Sequence, residues 1–137
     1  MAGHLSHAQQ IRIRFLSWTL FYFYTFFLLE CLLASDPEIL LVVKLNDKLL
    51  HAGAFCVYFL ICAIAFSQSK KGWLASRSEG LAFLWAGFIG LITEVLQIFV
   101  PRRTADVLDF LTAVIGMLAG IPFYRFGKKL IKKHYDE

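Results

Sequence analysis

Residues 15–35 read FLSWTLFYFYTFFLLECLLAS, an apolar run broken by one charge, Glu30. The hydrocarbon core of a bilayer is about 30 Å thick and takes about 20 helical residues to cross, so by length this run is a spanning helix. Three comparable runs follow: Leu49–Ser67 carrying His51, Gly80–Val100 carrying Glu94, and Val107–Phe126 with Asp109 near its start. Charged or turn residues bound each one. In hydrocarbon every backbone N–H and C=O needs an internal partner, which only helices and closed barrels provide. The ten-residue alternating segments of barrel strands are absent, so all four runs read as helices. The expected fold class is all-α, a polytopic membrane protein built as a four-transmembrane-helix bundle.

Composition points the same way. The 137 residues are 58% apolar and 18% charged, with a mean hydropathy of +0.63, whereas soluble domains average about 45–50% apolar and 25% charged. Four spans use about 80 positions, which leaves no room for a second globular domain. Residues 1–14 are expected as an N-terminal tail, 15–126 as the membrane domain and 127–137 as a basic C-terminal tail. Asp36-Pro37 should end the first helix, because proline disfavours α geometry in the residue before it. Ile39–Val43 is apolar but too short to cross, an interfacial or re-entrant segment. Residues 68–79, QSKKGWLASRSE, read as an ordinary connector.

Several features have plain readings. Trp18, Phe21, Tyr22, Phe23, Tyr24, Phe26 and Phe27 are expected as lipid-facing bulk on the first helix. Cys31, Cys56 and Cys62 are odd in number and unpaired in spacing, so they read as small buried hydrophobes rather than as a disulfide framework or thiolate metal site. A cleaved signal peptide does not fit the first run, which is too long and offers only Leu32 and Ala34 as a small-x-small site.

Charge sets an orientation. Arg12, Arg14, Lys70, Lys71, Arg77, Arg125, Lys128, Lys129, Lys132 and Lys133 fall on the tails and the second loop, against Lys44, Lys48, Arg102 and Arg103 elsewhere. A basic excess marks the cytoplasmic side, so both termini are expected inside, in the inner (cytoplasmic) membrane of a cell. The net charge of +4 is thereby a topology signal, with the bilayer as partner and no nucleic acid implied.

The polar residues within or beside the spans share a depth. Glu30, Asp47, Lys48, His51, Glu94, Gln97, Arg102, Arg103, Asp106 and Asp109 all fall in the outward leaflet under this orientation. An ionisable group in a span costs at least about 2.5–3.5 kcal/mol on insertion scales and needs a partner or a purpose. Asp47, Lys48 and His51 share one face at three- and four-residue spacing, as do Gly90, Glu94 and Gln97. Gly87, Gly90, Gly116 and Gly120 allow close helix approach. The expectation is an outward-facing polar pocket between helices two, three and four, lined by Asp47, Lys48, His51, Glu94, Gln97, Arg103 and Asp109. Asp106 reads as a cap for the fourth helix and Asp109, one turn deeper, as the better site candidate.

The ordered set Asp47-Lys48-x-x-His51, Glu94-x-x-Gln97 and Arg103-x5-Asp109 with Gly116 resembles the VanZ-like family of small bacterial membrane proteins, over Asp47 to Gly120. That family takes its name from a protein conferring low-level resistance to teicoplanin, a glycopeptide that acts on cell-wall precursors. The resemblance implies a role at the cell envelope and a link to glycopeptide tolerance. Ala113 stands where family members commonly carry Asn.

Three functions follow from these residues. In the first, Lys48 and Arg103 hold an anionic cell-envelope ligand, such as a lipid-linked or cell-wall precursor headgroup, and Glu94, Gln97 and Asp109 orient it. In the second, His51 with Glu94 or Asp109 acts as acid and base on a lipid-linked substrate. No cofactor is specified and no residue is assigned to a metal, although His51, Glu94 and Asp109 could furnish N and O ligands. In the third, Glu30 serves a small proton-coupled cation transporter, a reading opposed by its position near a helix end.

Overall fold

The computed structural model describes residues 6–33, 47–101 and 105–136. Among these the chain is helical without strands: α1 His7–Leu33, α2 Asp47–Ser67, α3 Gly72–Ser76, α4 Ser78–Gln97 and α5 Val107–Asp136. The four long helices are each long and apolar enough to cross a membrane, the all-α polytopic bundle expected. The interfacial segment Ile39–Val43 and the Asp36-Pro37 boundary lie outside the described residues.

Two boundaries differ from expectation. α1 begins at His7, eight residues before Phe15, because Ser6 and Gln9 close a reciprocal cap. The Ser6 N–H donates to Gln9 Oε1 at 2.8 Å and the Gln9 N–H to Ser6 Oγ at 3.2 Å, which satisfies two otherwise orphaned donors. α5 runs through the basic segment to Asp136. Lysine and leucine sustain a helix, so residues 127–136 of the expected tail continue the last helix, which carries Pro122 within it. The connector folds one short helix, α3.

α2 is the central element, packed against α1, α4 and α5. Among its buried residues, His51, Phe55, Tyr58, Phe59, Cys62 and Phe66 form one stripe at three- and four-residue spacing, and Ile61, Ala63 and Ala65 extend burial to further faces of its second half. Neutral hydrogen bonds tie the helices through its middle. Tyr58 Oη shares a proton with Thr25 Oγ1 at 2.9 Å and accepts from Trp85 Nε1 at 3.0 Å, joining α1, α2 and α4. Phe21 is buried and Tyr24 stacks on Tyr58, while Tyr22, Phe23, Phe26 and Phe27 are exposed. The aromatic run of α1 therefore divides between core and lipid rather than facing lipid throughout.

The closest approach is between α2 and α5. A methyl on Gly116 would fall on the Ala52 carbonyl oxygen, with Ala52 Cα 2.9 Å away, and one on Gly120 would meet Phe59 Cδ1 at 2.7 Å. Lys48 with Asp109, Ala52 with Gly116, and Ala63 with Tyr124 pair in ascending order, so α2 and α5 run parallel. Arg14 to Gln68 and Arg125 to Glu79 gather both chain ends and the α2–α4 connection at one end of the bundle. The opposite end holds Leu32, Lys48, Gln97 and Asp106.

Gly116→Ala should destabilise the bundle by about 1–3 kcal/mol or more, the scale of overpacking a close contact. Gly53→Ala, with open space around the added methyl, should stay within about 0.5 kcal/mol. Thermal unfolding of the two variants in one detergent checks the contrast.

Candidate functional site

Three helices deliver one buried ionisable side chain each to the end of the bundle away from the termini. His51 comes from the first turns of α2, Glu94 from the last turn of α4 and Asp109 from the first turn of α5; all three are buried. Each offers a ligand atom within 4.8 Å of the others'. Their depth follows from helix register. α2 and α5 start at this end and run parallel, and the Ala52–Gly116 contact lies one residue past His51.

Lys48 bridges the rim. Its Nζ donates to Asp106 Oδ2 at 2.9 Å and to Asp109 Oδ1 at 3.0 Å. The side chains of Lys48 and Asp106 are 39% and 43% exposed against 12% for Asp109, so the network grades from an accessible mouth to a buried floor. An ammonium at the start of a helix opposes the helix dipole, and the two carboxylates offset that penalty.

Asp106 does three things at once. Its Oδ1 accepts the Leu108 N–H at 2.9 Å, capping α5; its Oδ2 pairs with Lys48; and its own N–H donates to Glu94 Oε2 at 3.1 Å. The Lys48 ammonium, with the Leu108 N–H, holds its carboxyl below the ordinary carboxylate range. The sequence identified only the cap. The depth of Asp106 beside Asp109 was legible, but its bonds to Lys48 and Glu94 join positions 58 and 12 residues away.

The other expected site residues fall as follows. Gln97 is buried and its Nε2 donates to the Leu32 carbonyl at 2.9 Å, one of the carbonyls left open at the end of α1. That bond gives Gln97 a use in helix docking. Asp47 opens α2, but its side chain lies outside the described residues, as do Arg102 and Arg103. Glu30 is exposed on α1. Ala113 is buried one turn beyond Asp109.

Among the described residues, Lys48, His51, Glu94, Asp106 and Asp109 gather at this end. A cavity of about 580 Å³ lies at the other end, between α2 and α5, lined by Leu60, Ile64, Phe123, Tyr124, Lys128 and Lys132 among others. Of the glycines expected to allow close helix approach, Gly116 and Gly120 face α2, and Gly90 lies beside Phe55 of α2 and Phe110 of α5.

A family model described as VanZ/LLP1 matches residues 2–130. The match reaches across α1 and most of α5, well beyond the Asp47–Gly120 stretch that carries the motifs. No curated protein and no solved structure matches the chain.

If Gln97 serves helix docking, Gln97→Met, close in volume but unable to donate, should cost about 1–3 kcal/mol by leaving a buried carbonyl unsatisfied. Chemical denaturation of the purified variant measures it. An unchanged midpoint would remove the docking role.

Proposed function

The chain belongs to the VanZ/LLP1 family, and from that footing we propose that it is a cell-envelope membrane protein that binds the anionic headgroup of a lipid-linked or cell-wall precursor at the outer face of the cytoplasmic membrane. One observation carries the reading: charged groups of α2, α4, α5 and the turn before α5 converge at one end, with an exposed ammonium over a buried floor. Lys48 is the group a headgroup phosphate or carboxylate would reach first, in exchange for Asp106. Asp109 and Glu94 would then set its orientation, and Arg103 stays in the proposal on the family motif.

Orientation rests on charge. Arg14, Arg125 and the lysines at the far end of α5 lie at the end opposite the cluster, and a basic excess marks the cytoplasmic side. Both termini are then cytoplasmic and the cluster faces outward, toward the compartment where glycopeptides such as teicoplanin meet their targets.

A second reading is supported by the placement of His51 within 4.8 Å of two carboxylate donors. An imidazole oriented by a carboxylate is general acid–base equipment, so the same centre suits hydrolysis of a lipid-linked phosphate or ester. Turnover of such substrates by purified protein, lost in His51→Gln, would favour this reading; an inert wild-type protein would oppose it.

Binding of a polyprenyl diphosphate to the protein in lipid nanodiscs tests the first reading. Lys48→Gln should weaken binding about 10–100-fold, the range for one lost hydrogen bond to a charged group, and should lower teicoplanin tolerance in cells that express the protein. Equal binding by wild type and Lys48→Gln, with equal tolerance, would overturn it.

A further inference from the structure

We propose that His51, Glu94 and Asp109 form a binding site for one divalent metal ion of the zinc or manganese class. The three side chains come from three different helices, are all buried, and bring an imidazole nitrogen and two carboxylate oxygens within 4.8 Å of one another. Metal–ligand bonds of about 2.0–2.2 Å put ligands on opposite sides of an ion about 4.4 Å apart. Small side-chain rotations would therefore set these atoms on a shared centre.

Charge balance is the second, independent argument. The hydrogen-bonded groups around the site are three carboxylates, Glu94, Asp106 and Asp109, and one ammonium, Lys48. A divalent ion would be attracted by this local preponderance of carboxylate.

The surroundings resemble the outer sphere of a metal centre. Ligating carboxylates are themselves hydrogen-bonded, and here Glu94 accepts the Asp106 N–H while Asp109 accepts Lys48. The donor set selects the ion. Imidazole suits zinc and iron, carboxylate suits manganese and magnesium, and one of the first with two of the second falls in the overlap. Calcium, which takes six to eight oxygens, is disfavoured.

Such an ion would also present positive charge to an anionic headgroup, which Lys48 alone, held by two carboxylates, does only in part. That consequence rests on the headgroup reading above; the site itself does not.

The experiment is metal binding by the detergent-purified full chain, stripped with chelator and titrated without added lipid with Zn²⁺, Mn²⁺ and Co²⁺. Elemental analysis should find about one ion per chain, Co²⁺ should develop visible absorption bands, and the unfolding temperature should rise with metal concentration. Glu94→Gln and His51→Gln should each weaken binding at least about 100-fold, beyond the 10–100-fold typical of outer-sphere changes. Glu79→Gln, at the opposite end beside Arg125, should bind as wild type does. Wild-type protein that takes up none of the three ions would overturn the site, whatever the variants do. So would a His51→Gln protein that elutes and melts like wild type and binds metal equally well. Because no lipid is added, failure here leaves the polyprenyl diphosphate result standing, and failure there leaves this one standing.

Discussion

The contact of Gly116 with the Ala52 backbone governs the rest of the structure. With no side chain between them, α2 and α5 come close enough for backbone to touch backbone, which fixes their relative height as well as their separation. Sliding either helix by one turn would move its functional residues about 5.4 Å, enough to part His51 from Asp109 and Lys48 from both its carboxylates. Glycine here is a constraint on register, and the polar centre is placed by it. Water expulsion does little to drive helices together within lipid, so close packing and interhelical hydrogen bonds carry that task.

The two ends of the bundle use polarity differently. Around Tyr58, and again where Ser78 meets Tyr124 at 2.9 Å, hydroxyl groups satisfy each other without formal charge. Near the chain ends Arg125 and Glu79 pair at an exposed position, where solvent weakens the attraction and the pair adds little. Among the described residues, carboxylates are buried only around His51. A fold needing nothing but cohesion could use hydroxyls throughout, so the concentration of acid, base and ammonium at one place points to use rather than stability.

Much of this could be read from residues alone. Run length against bilayer thickness found the four spans, and the shared depth of Lys48, His51, Glu94 and Asp109 followed from counting turns. What escaped detection depended on partners. Whether Gly116 met α4 or α2 depends on how helices turn about their axes, which spacing on one helix does not reveal. Asp106 displayed its cap but concealed its hold on Lys48 and Glu94, since those lie 58 and 12 positions away. The ends of α1 and α5 were missed for another reason. Hydropathy reports where lipid gives way to water, whereas a helix ends where a cap closes it, as Ser6 and Gln9 do for α1, and the lysine-rich segment gives α5 no cause to stop.

The length of α5, one helix even across Pro122, turns the protein into a gauge. From Asp109 to Lys128 the rod measures about 29 Å, close to the thickness of the hydrocarbon itself. Were the lysine collar moored among phosphates on one surface, the carboxylate would arrive at the boundary of the other, neither stranded in oil nor lifted into bulk water. A flexible tail would let the assembly bob; a stiff one transmits its anchorage across the sheet, so the height of the far-side chemistry is set from beneath. Membranes of differing thickness would then tune how wet that chemistry is.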